Sequence, residues 1–253
     1  MRDQIVGDLE HFKNRIALCD EWLELAEKSA AKGGNGWGEL VGDASKQLQR
    51  VSALYSMGAT IDKVRSEYAE LPDLASRDLN IDPRTKFNPA EMGSGFSDFL
   101  WVSALAALFD DADGAALLAE AVETFGMTDF LVDSFIGSLI EFREPSQTLQ
   151  LEIISNFHGV KPVNRSHEPL KAAAELSAID PGAASEALTK YVTKDWYRLH
   201  SWTTWHNGHK ASRGSENYSG YWSFEGAAVA KVFGIDDSEL ETCKYYPWDL
   251  VHP

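Results

Sequence analysis

Residues 99–109 read FLWVSALAALF. The run is about half the roughly 20 apolar residues that a membrane-spanning helix needs, and Asp110 and Asp111 close it. It reads as a buried helix instead. A helix with no polar face has to be covered on every side, so this segment should sit at the centre of the fold. Whether helices or strands surround it decides the fold class.

Upstream, Ile5, Leu9, Phe12, Ile16, Cys19, Leu23 and Ala26 recur at steps of three and four. That spacing lays one apolar stripe along a long amphipathic helix. KGGNGWG at 32–38 breaks it as a simple glycine-rich connection, and a second helix is expected from about 39 to 57, stopped by Gly58. Thr60 is placed to cap a third, because Ile61, Val64, Tyr68 and Leu71 share a face before Pro72 ends the run. Residues 72–95 are rich in Pro, Asp, Asn and Gly and are expected to form a loop, with Ser97 or Asp98 capping the apolar helix.

Downstream, helices are expected at about 113–125, 129–140 and 147–157, with Thr128 capping the second of these. Two more fall between 167 and 199, where Asp180 followed by Pro181 marks a helix start. Phe224, Ala227, Ala228 and Lys231 give a last helical face, and Gly234 sits where a left-handed helix end is needed. No window alternates apolar and polar residues long enough to argue for a sheet. The expected fold is all-α, a bundle of roughly eight to ten helices in two intimately packed halves, residues 1–112 and 113–253.

The 253 residues carry 39 Asp and Glu against 23 Lys and Arg, a formal charge of -16. Such a charge repels nucleic acid and anionic membranes and favours a basic partner. The only two cysteines, Cys19 and Cys243, form no CxxC or Cys/His zinc spacing and suit free thiols of a reducing cytoplasm, and MRDQIVGDLEHF lacks the apolar run of a signal peptide. A cytoplasmic location is expected, and a homo-oligomer is compatible with the sequence.

Charge is also unevenly spread. Residues 101–146 hold Asp110, Asp111, Asp113, Glu120, Glu123, Asp129, Asp133, Glu141 and Glu144 against Arg143 alone, a net of -8. An ordinary surface mixes both signs, and a field of one sign steers an oppositely charged partner. These acids are the first candidate binding surface. Asp236, Asp237 and Glu239 near the C-terminus are the second.

Catalytic signals are weaker. His200, His206 and His209 could join Glu225 as metal ligands or as an acid and base. The spacing is not a zinc signature, and Asn207-Gly208 argues for a turn where a ligand-bearing helix would be required. No catalytic residue, metal or cofactor is therefore expected. Glu225, inside an apolar helical face, is expected to be buried and held by a Tyr hydroxyl, an indole N–H, His209 or Lys210. GxSxG, HExxH and phosphate-binding glycine loops are missing from the sequence.

The C-terminal residues carry a more specific signal. Asp195-Trp196-Tyr197, Trp205 and His209-Lys210 come first. YSGYWSFEGAAVAKVFGIDDSEL follows, with Tyr218, Gly220, Tyr221, Trp222, Phe224 and Glu225, and then YYPWDLV, with Tyr245, Tyr246, Pro247 and Asp249. Together they resemble the C-terminal domain of the PoNi immunity proteins over roughly residues 125–251. LYSMGATIDKV at 54–64 and the apolar helix resemble the family's other region more weakly, and Gly226 and Trp248 stand where alanine and tyrosine are more usual.

The resemblance implies a protein that neutralises a PoNe-type nuclease toxin delivered between bacteria, typically by type VI secretion. The aromatic motif residues would then be scaffold, and acidic surfaces would occupy the toxin's basic nucleic-acid groove. The alternative reading is a metal-dependent enzyme using His200, His206, His209 and Glu225.

Overall fold

The computed structural model describes residues 1–31, 43–80, 92–124, 126–145, 166–203, 205–210 and 218–253. Its regular elements are all helical: α1 (Leu9–Ala31), α2 (Asp43–Met57), α3 (Ile61–Tyr68), α4 (Leu71–Asn80), α5 (Met92–Phe109), α6 (Ala112–Thr124), α7 (Phe130–Gly137), α8 (Glu168–Leu176), α9 (Pro181–Lys190), α10 (Trp196–Leu199), α11 (Phe224–Phe233) and α12 (Trp248–Val251). The fold is all-α. No helix among the described residues is long and apolar enough to cross a membrane.

The apolar run at 99–109 forms the C-terminal part of α5, and α5 packs against α2, α4, α6, α7, α11 and α12. Every residue from Phe99 to Phe109 is buried. One hydrophobic core runs from Phe12 in α1 to Leu250 in α12, so the first and second halves of the chain are packed into one another.

Local chemistry accounts for the helix ends. The Thr60 hydroxyl accepts from the Lys63 amide at the start of α3, and the Asp180 carboxylate accepts from the Ala183 amide at the start of α9. Gly234 closes α11 with a left-handed φ of 61°.

Three expectations need correction. Pro72 opens α4 instead of ending its predecessor: the first turn of a helix has no use for the N–H that proline lacks, so 72–80 are helical. Helix α5 begins at Met92, which leaves Ser97 and Asp98 inside it and not at its cap. Asp129, not Thr128, caps α7 by accepting from the Leu131 and Val132 amides, each at 3.0 Å. The glycine-rich stretch 32–38 and the helix expected at 147–157 lie outside the described residues.

A feature without a sequence signal joins α9 to α10. Residues Tyr191–Asp195 form a π-turn that makes Pro181–Leu199 one nearly continuous rod. In an α-helix, residues five apart point about 140° away from each other. The wider π-turn lets both Tyr191 and Trp196 face α11.

Candidate functional site

The stretch Tyr218–Glu225 stitches the two halves together. Tyr218 donates its hydroxyl to Asp3 at 2.5 Å, the Ser219 carbonyl accepts from the Ser56 hydroxyl at 2.8 Å, and the Trp222 indole donates to that same hydroxyl at 2.8 Å. Arg15 reaches the Ser219 hydroxyl at 3.0 Å. From the C-terminal segment, Asp249 pairs with Arg2 at 2.5 Å and accepts the Tyr55 hydroxyl. Arg2 also donates to the carbonyls of Tyr55 and Ala59. Burial, followed by contact with Asp3 or Asp249, pushes the Tyr218 and Tyr55 hydroxyls far above the usual phenol range. They remain protonated donors.

Behind this seam lies a continuous aromatic stack. Trp196 stacks on Trp205 with ring centres 5.4 Å apart, Trp205 touches Trp101 at 5.7 Å, and Tyr197 lies parallel to Tyr245 at 5.5 Å. Tyr221 meets Tyr218, Tyr197 and Trp205, and Phe224 meets Tyr55 and Trp101. Tyr218, Tyr221, Trp222, Phe224, Tyr246 and Pro247 are buried, and the Tyr245 carbonyl accepts from the Ser223 amide. His209 bonds the Tyr221 hydroxyl through Nδ1 at 2.9 Å, while Lys210 is exposed.

At the centre of the stack Glu225 is fully buried. Its Oε1 accepts from the Trp196 indole at 2.6 Å and from the Tyr191 hydroxyl at 3.4 Å. The Trp101 indole lies near enough to favour the ionised acid without making a geometrically sound hydrogen bond. Burial outweighs these donors and pushes the carboxyl up to about 7. So the expected indole and tyrosine partners are present, but His209 and Lys210 are not among them.

His200 and Glu225 do come together, with a partner that sequence reasoning missed. His167, just before α8, places Nε2 at 3.3 Å from His200 Nε2 and 3.9 Å from Glu225 Oε1. Burial holds both imidazoles in the neutral form, with His200 pushed down to about 4. His206 instead stacks on Tyr197 and bonds the Asn207 side chain. Of the alternative set of His200, His206, His209 and Glu225, only His200 and Glu225 come together, in a buried triangle with His167.

The acidic candidates divide into two groups. Asp113, Glu120, Glu123, Glu141, Asp236 and Glu239 are exposed, as is Asp110, whose carboxylate pairs with Lys231 of α11 at 2.9 Å. The others are engaged inside the protein. Asp133 has no exposed surface and accepts from Arg143 at 2.7 Å. Asp237 is buried between the Tyr246 hydroxyl and His252. Asp111 caps α6 through the Gly114 amide and accepts the Tyr68 hydroxyl. Asp133 and Asp237 therefore leave the candidate surface, because a carboxylate enclosed by protein cannot meet a partner.

Asp129 gives a pH prediction. Burial raises its carboxyl to about 6, against the two amide bonds that favour ionisation, although the residue keeps part of its surface and water moderates the shift. The ordinary value is 3.8, so the folded chain holds this proton more tightly than the unfolded one. Its contribution to stability is greatest below about pH 4, declines as the pH rises to about 6, and is constant above. Asp129→Asn keeps a capping oxygen and should flatten this part of the urea-stability profile. An unaltered slope would mean that the carboxyl titrates normally.

The geometry defines a class before it defines a family: an all-α protein whose signature residues build an interior scaffold and whose acids in part remain outside. Residues 128–250 match the family model of the PoNe immunity proteins (PoNi), C-terminal. The chain carries that C-terminal domain, which supports a PoNi-family immunity protein. Its fold is similar to the crystal structure of protein PA2201 from Pseudomonas aeruginosa, with a TM-score of 0.68 at 19% identity, covering 99% of this chain and 89% of that one. A search of curated proteins gives no match.

Proposed function

We propose that the chain protects a bacterial cytoplasm by binding a nuclease toxin, delivered by type VI secretion, in a stoichiometric complex. The acidic face of α6 would occupy the toxin's basic nucleic-acid groove. One observation carries this reading. The outer side of α6 presents Asp113, Glu120 and Glu123 to solvent, and no Lys or Arg occurs between Ala112 and Phe142 to offset them. No hydrogen bond or ion pair among the described residues ties these three carboxylates to the fold, so they are available to a cation-rich partner.

Exposed charges act over about 8 Å at physiological ionic strength. They steer encounter more than they hold the docked complex. The test is kinetic binding to the nuclease encoded beside this gene, at low and high salt. Neutralising Asp113, Glu120 and Glu123 together, to Asn, Gln and Gln, should lower the association rate roughly tenfold at low salt. Dissociation and melting temperature should change little, and protection of toxin-expressing cells should weaken. Unaltered rates and full protection would remove α6 from the interface and turn attention to Asp236 and Glu239.

A further inference from the structure

We propose that His167, His200 and Glu225 form a buried structural zinc(II) site that ties the start of α8 to α10 and α11. The argument starts from hydrogen positions. His200 Nδ1 lies 2.7 Å from the Trp196 carbonyl, and a carbonyl can only accept, so Nδ1 carries the ring proton. The neutral ring then turns the lone pair of Nε2 inward. What it faces is a second imidazole nitrogen, His167 Nε2, at 3.3 Å, with the Glu225 carboxylate beyond. One ligand atom from each of the three lies within 4.8 Å of the other two.

Three groups rich in lone pairs, converging in a dry interior, need a cation between them or enough hydrogens to share. Hydrogens do not suffice for Glu225. Its Oε1, the oxygen 3.9 Å from His167 Nε2, takes the Trp196 indole and the Tyr191 hydroxyl, and Oε2 makes no sound hydrogen bond, with the Trp101 indole only nearby, although the residue has no exposed surface. An orphaned buried oxygen is costly, and a metal ion would satisfy it.

The spacing and the surroundings fit the metal. Zinc bonds of about 2.0 to 2.1 Å in tetrahedral geometry place neighbouring ligand atoms about 3.3 Å apart, which is the separation of the two imidazole nitrogens. Ligating histidines characteristically donate their other N–H to a carbonyl, and ligating carboxylates are themselves hydrogen-bonded. Trp196 supplies both supports, its carbonyl to His200 and its indole to Glu225. Two imidazoles and one carboxylate suit zinc better than magnesium or calcium. All three side chains are buried, which suits a metal that ties elements together rather than one that meets a substrate.

The proposal is independent of toxin binding, so its test uses metal content and melting temperature. Tag-free protein is purified without chelator and assayed by mass spectrometry, then unfolded, stripped and refolded with or without zinc chloride. The expected result is one equivalent of zinc per chain and a melting temperature several degrees higher when zinc is present. Glu225→Gln and His200→Asn should each lose that equivalent, whereas His209→Ala, outside the triangle, should keep it. Wild-type protein that takes up no zinc either as purified or on refolding overturns the site. So does an equivalent retained in both Glu225→Gln and His200→Asn, which would place the metal elsewhere.

Discussion

Gly220→Ala is expected to destabilise the protein by about 2 to 5 kcal/mol, in two additive parts. Gly220 has a φ of 113°, a region closed to side chains at a cost of about 1 to 2 kcal/mol. An added Cβ would also lie 2.0 Å from the Ser56 hydroxyl and 2.5 Å from the Trp222 indole nitrogen. Those two atoms are hydrogen-bonded to each other, and the Ser56 hydroxyl donates in turn to the Ser219 carbonyl. The methyl group would wedge open the contact that joins α2 to the C-terminal half, and overpacking of this kind costs about 1 to 3 kcal/mol more.

Gly234→Ala is the control. Its φ is also positive, at 61°, but a Cβ there would meet no atom within 4 Å, so only the backbone part should be lost. Urea unfolding of the two variants separates the terms. Equal losses would show that the Ser56–Trp222 contact yields freely and that backbone strain alone accounts for the effect.

What could be read in the sequence follows from how local each cause is. The α5 run, the Thr60 and Asp180 caps and the glycine end of α11 depend on residues within a turn or two, and all four lie where the spacing puts them. Pro72 was ambiguous because proline both ends one helix and opens the next. Thr128 and Asp129 are adjacent, and either side chain could have capped α7; backbone geometry chose the second.

The acids divide for a legible reason that charge counting passes over. Asp133 sits within FLVDSFIG, where Phe130 to Ile136 are all buried, so an apolar run around an acid was a sign of an internal ion pair. By contrast, nothing near His167 in sequence marks it. It lies 33 residues from His200 and reaches Glu225 because α8 packs on α11, a tertiary event. The roles of Arg2 and Asp3 at the seam were equally invisible, since single charged residues carry no pattern.

Trp196→Ala is expected to have the largest effect of any single substitution, about 5 kcal/mol or more against a total stability typically of 5 to 15 kcal/mol. Trp196 is the largest fully buried side chain among the described residues, and truncating a buried tryptophan alone costs about 3 to 5 kcal/mol. Here it would also break the stack with Trp205, Tyr245 and His200. A third loss is the indole donor at 2.6 Å from Glu225, and hydrogen bonds to charged groups are worth about 1.5 to 3 kcal/mol.

Trp196→Phe separates these contributions. It keeps most of the ring contact but removes the N–H, so it should cost about 1 to 3 kcal/mol, well below alanine. Trp222→Ala, on the other side of the scaffold and buried against Tyr55 with its indole on Ser56, should fall between the two at about 3 to 5 kcal/mol. The measurement is urea unfolding alongside toxin protection for all three variants. A scaffold residue must lose protection only in proportion to lost folded protein. If Trp222→Ala or Trp196→Phe abolished protection while leaving the unfolding midpoint in place, the aromatic cluster would itself be the docking surface. The acids of α6 would then be no more than a solvated helix face.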